Sequence, residues 1–174
     1  MNKLKSIDYA IVSELIKNSR LSDRQVAKML GTSQPTVTRR RRELEKEGLL
    51  DYTAVPDVKK LGFEILAITF GNRAAHPQYP ELEIQKAKEF TERHPNLIFV
   101  SSGMGLGSDR VAISVHKDYA DYSNFKKEVS EEWKEIMTVT DSFVISLVSD
   151  SMLRNLTFKH LAELLKKEHV QEKT

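Results

Sequence analysis

The sequence contains no cysteine, and this absence excludes several kinds of chemistry. Without thiols the chain forms no disulfide framework, and it has neither a thiolate nucleophile nor a sulfur ligand for zinc. Its histidines are not paired at the spacings of zinc sites either. They are His76, His94, His116, His160 and His169. We therefore predict that the protein holds no metal ion and no cofactor.

Long apolar runs are also missing. No stretch reaches the roughly 18 to 20 apolar residues of a membrane span. The first ten residues, MNKLKSIDYA, lack the apolar core of a signal peptide. We therefore predict a cytoplasmic protein with no membrane partner.

Paired carboxylates, a nucleophile elbow and a phosphate-binding P-loop are absent as well, so we assign no catalytic residue.

The charge of the chain is unevenly distributed. Residues 1–60 contain 13 Lys and Arg against 8 Asp and Glu, a net charge of +5. Residues 61–174 contain 14 against 17, a net charge of −3. A basic front part joined to a slightly acidic remainder is typical of a nucleic-acid-binding module linked to a second domain.

The first fifty residues predict a helix-turn-helix. Apolar residues recur at helical spacing in a first helix that stops near Asn18. Ser22 stands three residues before Gln25, a capping-box pattern that starts a second, short helix. Gly31 is placed to end that helix, and Ser33 to cap a longer third one. A short helix, a glycine-bearing turn and a longer helix together form this DNA-binding motif.

The third predicted helix carries four consecutive arginines that are not equivalent. With about 100° per residue around the helix, Val37 and Leu44 define its inward side. Arg39 and Arg42 then point outward, and Arg40 lies on a flank. The remaining arginine faces inward, so its guanidinium must reach the edge of the core or pair with a carboxylate, for which Glu45 is a candidate. Three glutamates fall on the second half of this helix, where they are predicted to be held back from the DNA phosphates.

The outward face is predicted to bind double-stranded DNA. A recognition helix enters the major groove by its N-terminal half, where Gln pairs with adenine and Arg with guanine. We assign Gln34, Thr38 and Arg39 to bases. We assign Arg40 and Arg42, with Arg24 and Lys28 of the second helix, to phosphates. The full predicted set is Gln34, Thr36, Thr38, Arg39, Arg40 and Arg42, with Arg24 and Lys28 from the second helix. The alternative is a solvated helix in a module that binds only protein.

The stretch IDYAIVSELIKNSRLSDRQVAKMLGTSQPTVTRRRRELEKEGLLDYTAVPDVKKLGF resembles the N-terminal half of the Lrp/AsnC family of transcription regulators. The matching features are Ile7-Asp8, Arg20-Leu21-Ser22, Ser33, Val37, Arg39-Arg40, Leu44-Glu45, Gly48-Leu49-Leu50 and Lys60-Leu61-Gly62. Arg41 departs from the family, in which an aliphatic residue is usual at this place. The resemblance implies a winged helix-turn-helix domain.

The rest of the chain predicts a ferredoxin-like domain. Strands are predicted at 64–70, 97–102, 110–115 and 142–148, and helices at 80–93 and 119–137. This βαββαβ order gives an antiparallel sheet with both helices on one face. We therefore predict an α+β protein: a helix-turn-helix domain over 1–60 that includes a linker strand at 49–55, and a ferredoxin-like domain over 61–174 that includes an added C-terminal helix. The resemblance implies that the second domain binds an effector.

Both faces of the predicted sheet are apolar. Phe143, Ile145 and Leu147 alternate with Val144 and Val148 in its last strand. Since the two helices cover one face only, the other needs a partner. We therefore predict a homodimer or higher oligomer, which presents two recognition helices to two half-sites of an operator.

The glycine-rich hairpin SSGMGLGSDR is the second candidate site. Its glycines permit close approach of the backbone to a ligand, but they serve a plain hairpin equally well, and the two readings stay open. The resemblance implies an amino-acid effector at this hairpin, and Asp109 matches an acidic position of the family. The predicted effector-binding residues are Ser102, Gly103, Met104, Gly105, Gly107 and Asp109.

These observations predict a sequence-specific DNA-binding transcription regulator that is modulated by an amino acid or another small metabolite. Two alternatives remain. Lrp-like chains also occur as enzyme subunits of the siroheme decarboxylase type, although no catalytic motif is found here. The protein also fits a DNA-coating architectural role with little sequence preference.

Overall fold

The computed structural model describes residues 3–73, 80–150, 152–154 and 156–169. Contacts within the chain divide it into two units. The first, which we call the helical unit, comprises Met1–Val55 and Arg154–Thr174; the second, the sheet unit, comprises Pro56–Leu153. In the described part of the chain, no helix has the length and apolarity to cross a membrane.

The helical unit forms the predicted helix-turn-helix. Its first three helices are α1 (Ser6–Lys17), α2 (Asp23–Leu30) and α3 (Gln34–Lys46). The predicted caps are confirmed: the Ser22 hydroxyl accepts the backbone N–H of Gln25, and Gly31 ends α2 in the left-handed conformation. The inward residues of all three helices form one core. They are Ile11, Leu15, Val26, Ala27, Val37 and Leu44.

The C-terminal helix α6 (Leu161–His169) packs against α1. The buried hydroxyl of Ser13 donates to the carbonyl of Ala162 at 2.9 Å, and Lys166 pairs with the buried Glu14 at 2.5 Å. The sequence predicts this helix as part of the second domain, whereas the contacts group it with the helical unit. The physical reason is that the polar residues on this side of α1 find their partners on α6.

The segment that joins the two units along the chain is irregular. Residues 50–57 form neither helix nor strand, so the prediction of a linker strand at 49–55 is wrong. A strand needs a neighbour to pair with, and no strand lies among the described residues of the helical unit. Tyr52 instead turns its hydroxyl towards α3.

The sheet unit has the predicted βαββαβ order. Its elements are β1 (Ile65–Arg73), α4 (Pro80–Arg93), β2 (Leu97–Gly105), β3 (Ser108–His116), α5 (Tyr119–Trp133) and β4 (Met137–Ser146). The strands form one antiparallel sheet in the order β2-β3-β1-β4. The α+β class and the ferredoxin-like arrangement are therefore confirmed.

Strand ends in the sheet unit differ from the prediction by a few residues, and the largest difference lies between α5 and β4. The sequence analysis continued α5 to Met137 and began the last strand at Ser142, but α5 ends at Trp133 and β4 already begins at Met137. The β-branched residues at 138–140 favour extended backbone, and they continue the ladder alongside β1 past a register shift at Gly71.

One face of the sheet is turned away from α5. His116 of β3 packs against α5. Because successive side chains of a strand point to opposite faces of the sheet, the preceding residue, Val115, belongs to the face away from α5. On that opposite face, which we call the open face, Phe99, Ile113, Ile68 and Phe143 lie in register across all four strands. Phe143 is 66% exposed. The prediction of an apolar second face is therefore confirmed.

His116 is a buried histidine at the junction of β3 and α5. Its ring lies 5.4 Å from that of Tyr122 and 5.2 Å from that of Phe125, between ring centroids. Nε2 lies 2.8 Å from the Ser114 hydroxyl. Burial lowers the pKa of His116 below its ordinary value of 6.5, and the Asp121 carboxylate, 3.7 Å from Nδ1, acts in the opposite direction.

The protein is expected to lose stability when the pH falls below 6.5, the ordinary pKa of this histidine. The unfolded chain protonates His116 at a higher pH than the folded chain, so the free energy of unfolding is highest above this window and falls on acidification. The loss from this group reaches at most about 1.4 kcal/mol per pH unit.

Urea unfolding at a series of pH values checks this expectation. His116→Gln, which keeps a hydrogen-bonding group near Ser114, should flatten the dependence. His160→Gln, at an exposed histidine, should retain the slope of the wild type. Equal slopes for all three proteins would contradict the assignment to His116.

Candidate nucleic-acid interface

The outer face of α3 is a shallow open groove in the helical unit. It is lined by Gln34, Pro35, Thr38, Arg39, Arg42, Glu43 and Lys46. Four predicted DNA-binding residues, Gln34, Thr38, Arg39 and Arg42, therefore lie together on one surface, as the angular assignment predicted. Arg24 and Lys28 of α2 are exposed but do not line this groove.

The first turn of α3 is held by its cap. The Ser33 hydroxyl accepts the backbone N–H of Thr36 at 3.4 Å, and the two side-chain hydroxyls lie 2.8 Å apart. Pro35, in the first turn, has no N–H that needs a partner. Thr36 thus lies at the helix start with its hydroxyl shared with the cap, while Gln34 extends from the same turn into the groove.

Glu43 lies on the second half of α3, as the sequence predicts, and it lines the groove together with Arg39 and Arg42. Arg39 donates to it at 2.8 Å, and Arg40 donates to its other oxygen at 2.6 Å. That Glu43 is held back from the DNA phosphates stays a prediction. Because residues three and four apart are neighbours on a helix, Glu43 is positioned to hold both arginines.

Arg40 fastens α3 to α1. Its Nε donates to Asp8 at 2.6 Å, and Nη2 makes a second contact with the same carboxylate. The Asp8 side chain is 0% exposed and that of Arg40 only 16%. Burial by itself raises the pKa of Asp8, but the hydrogen bonds from Arg40 and from the Lys5 backbone N–H bring this pKa below its ordinary value. Arg40 thus lies off the groove, unlike Arg42.

Arg41 occupies the inward side, as predicted, and is enclosed by hydrogen-bond acceptors. It donates to Glu45 at 3.0 Å, to the Tyr52 hydroxyl at 2.9 Å and to Asp23 at 3.1 Å. The predicted pairing with Glu45 is therefore confirmed. Burial and the hydrogen bond to Glu45 raise the pKa of Tyr52, so the phenol stays protonated as a donor to that carboxylate.

Asp23 also fixes Thr38. The Thr38 hydroxyl donates to Asp23 at 2.7 Å, which ties the middle of α3 to the start of α2. The charged partners Asp8 and Asp23 were missed by the sequence analysis. For Asp8 a signal existed, because it shares the inward side of α1 with Ile11 and Leu15.

The predicted effector-binding residues are spread along the β2–β3 hairpin of the sheet unit, and only some of them lie at or next to its turn. Gly107 lies in the turn between β2 and β3, Gly105 is the last residue of β2, and Met104 before it is 99% exposed. Asp109, at the start of β3, lies beside the end of β1, where it accepts the Arg73 backbone N–H at 2.9 Å. Ser102 and Gly103 belong to β2, away from the turn.

Comparison with known proteins agrees with this arrangement. Residues 4–51 match the family described as winged helix-turn-helix DNA-binding. The HTH-type transcriptional regulator LrpC of Bacillus subtilis is 35% identical over 98 residues, which are 56% of this chain and 64% of LrpC, just under two thirds of that protein. An HTH-type transcriptional regulator of Pyrococcus furiosus is 30% identical over 128 residues, or 73% of this chain and 82% of that protein. The chain belongs to the Lrp/AsnC family.

Solved Lrp/AsnC structures extend the likeness to both units. The structure of Bacillus subtilis LrpC has a TM-score of 0.68 at 25% identity and covers 87% of this chain and 99% of that one. A transcriptional regulator from Neisseria meningitidis, solved as an L-Met complex, has a TM-score of 0.70 and covers 91% of this chain and 99% of that one. At 17% identity, the second likeness shows the fold alone.

Proposed function

We propose that this Lrp/AsnC protein is a sequence-specific DNA-binding transcription regulator that reads the major groove with the outer face of α3. The observation that carries the proposal is the sorting of its four arginines. Arg39 and Arg42 line the groove, and Arg39 is paired there with Glu43. Arg40 and Arg41 lie off the groove, where carboxylates of α1 and α2 hold them. If α3 were only a solvated helix, nothing would require two of its arginines to lie on the groove and the other two to be held in the helical unit.

The roles within the groove follow from the chemistry of each side chain. Gln34 and Arg39 are assigned to base edges, because their paired donors and acceptors match adenine and guanine. Thr38, whose hydroxyl is engaged with Asp23, is assigned to the methyl group of thymine. Arg42, with Arg24 and Lys28, is assigned to phosphates. Arg40 is reassigned from phosphate contact to holding the helix.

The proposal includes a symmetric dimer. The apolar row across the open face, Phe99, Ile113, Ile68 and Phe143, supports burial of this face against the same face of a second copy. Such a dimer presents two copies of α3 to two half-sites of one operator. It also removes from water an apolar surface of a kind that soluble monomers rarely expose.

The β2–β3 hairpin is proposed to bind an amino-acid effector. The L-Met complex of the Neisseria regulator supports this ligand class. The exposed Met104 and the glycines of the turn are the residues proposed to contact it. Since the named relatives are transcriptional regulators, we propose no enzymatic activity, and DNA binding implies a cytoplasmic location.

Binding to DNA over a series of salt concentrations tests the proposal. The full-length protein is titrated with the duplex upstream of its own gene and with a scrambled duplex of equal length. A regulator should prefer the first, and its affinity for both should fall steeply with salt. Steep but equal binding would favour a DNA-coating protein. Salt-insensitive binding to both, or no binding to either or to a random duplex library, would reject the proposed role of α3.

Arg39→Ala and Arg42→Ala are expected to have different effects on DNA binding. Arg42→Ala should weaken binding to both duplexes equally and reduce the salt slope by about 1. Arg39→Ala should also reduce the preference for the specific duplex, because a lost base contact costs about 1 to 3 kcal/mol of discrimination. Glu43→Gln, which frees Arg39 from its intramolecular partner, should strengthen non-specific binding.

The same titrations measure all three variants. The specificity ratio separates the two arginines, and circular dichroism confirms that each variant is folded. Identical ratios for Arg39→Ala and Arg42→Ala would show that the division between base and phosphate contacts is wrong.

A further inference from the structure

The sheet unit contains a cavity that the proposed DNA-binding function does not use. Its volume is about 560 Å³, and it lies between the sheet and the helices α4 and α5. Most of its lining is apolar. The helices contribute Phe90, Phe125 and Trp133, and the strands contribute Val100, Ala112 and Met137.

The size of this cavity is that of a ligand site. Interiors of folded proteins are close-packed and contain few voids larger than a water molecule. Pockets that enclose small molecules measure about 300 to 1,000 Å³ and are lined mainly by apolar and aromatic side chains. The space between the sheet and α4 falls in this range. An apolar molecule that fills this cavity would bury apolar surface and so stabilise the folded protein.

One end of the cavity is cationic. Arg110 of β3 pairs in register with Gly71 of β1, and Arg73 follows two residues later on the same face of β1. Both arginines line the cavity. Arg110 also contacts Asp109, at 3.4 Å between Nη1 and Oδ1. A guanidinium has five N–H donors, so it can hold a carboxylate of a ligand in addition to its partners within the protein.

We propose that this cavity binds an apolar monocarboxylate, such as a medium-chain alkyl or arylalkyl acid. The apolar part lies among Phe90, Phe125 and Trp133, and the carboxylate lies at Arg73 and Arg110. No acidic side chain is found among the described residues of the lining, so the cavity offers a site for an anion rather than for the ammonium group of an amino acid. The site lies within one protomer and is separate from the turn of the hairpin.

Trp133 provides a direct readout of occupancy. It is the only tryptophan of the chain and it lines the cavity. Titration of the full-length protein with decanoate, without DNA, should therefore produce a saturable change in its fluorescence. Decanol, which has the same chain without the charge, should bind at least about tenfold more weakly. L-Phenylalanine, which carries an ammonium group, should produce no saturable change.

Filling the cavity should abolish binding. Ala112→Phe places a ring inside it from β3, and Ala87→Phe does so from α4. Ala120→Phe is the matched control, because Ala120 is exposed at the start of α5. Thermal unfolding with and without decanoate identifies which variants are folded. Decanoate should raise the melting temperature of the wild type and the control, but not that of a folded cavity-filled variant.

Three outcomes would overturn the proposal. The first is the absence of a saturable response to decanoate in the wild type. The second is equal affinity for decanoate and decanol, which would remove the role of the arginines. The third is unchanged decanoate binding in a folded Ala112→Phe or Ala87→Phe variant. The readout needs no DNA, so none of these results depends on the proposed regulator function.

Discussion

Replacing Arg40 by methionine is expected to lower the free energy of unfolding of the helical unit by about 3 kcal/mol or more. Arg40 is the partner of Asp8, whose carboxylate is fully buried on α1. Methionine keeps much of the aliphatic stem but removes both hydrogen bonds to Asp8. The substitution would leave an uncompensated charge in the interior, which is among the most destabilising changes known for single residues.

Arg42→Met is the matched control for this prediction. Arg42 belongs to the same run of four arginines but lies on the exposed groove. Its replacement should change stability by less than about 0.5 kcal/mol. Urea unfolding measures both effects. The double variant Asp8→Leu/Arg40→Met should recover part of the loss, because it removes the buried charge together with its partner. Equal destabilisation by Arg40→Met and Arg42→Met would show that the ion pair with Asp8 does not stabilise the fold.

Phe143→Asp is expected to convert the proposed dimer into a folded monomer. Phe143 lies on the open face opposite Ile68, and it is 66% exposed in the single chain. A carboxylate there remains hydrated in the monomer but would be buried without a partner in a sheet-on-sheet dimer. Binding to an operator with two half-sites should fall by about a hundredfold or more, because the second half-site is no longer bound by the same particle.

Light scattering after size-exclusion chromatography measures the mass of the variant, and DNA titration measures its affinity. Tyr119→Asp is the control: Tyr119 is also 66% exposed, but it lies on α5 rather than on the open face. It should leave both quantities unchanged. A Phe143→Asp protein that keeps the mass of the wild type would reject the open face as the interface. A monomer that binds DNA with undiminished affinity would separate assembly from DNA recognition.

Local features of the fold could be predicted from the sequence. Capping of α2 by Ser22 depends on Gln25, three residues away, and the direction of Arg39 and Arg42 depends only on helical periodicity. The partner of Arg40 could not be predicted in the same way. Asp8 lies 32 positions earlier, and only the packing of α1 against α3 brings the two together.

The same distinction explains the differences in the rest of the chain. The place of α6 depends on contacts such as that of Ser13 with Ala162, which are 149 positions apart. The start of β4 depends on pairing with β1, which overrode the helical pattern expected up to Met137. The sequence predicts that Glu43 falls on the second half of α3, and pairing with Arg39, four positions earlier on the same helix, offsets its charge in the free protein.

The packing of α6 on α1 makes the sheet unit an insertion within the helical unit. The chain leaves the helical unit at Val55 and returns to it at Arg154, so two covalent connections, rather than one, join the units. A single cut in the irregular segment at 50–57 would therefore leave both fragments joined through the contacts of α6 with α1. For the same reason, a substitution that detaches α6 from α1 would leave the sheet unit connected to the first three helices through one chain segment instead of two. The residues of the DNA-binding groove would not be changed.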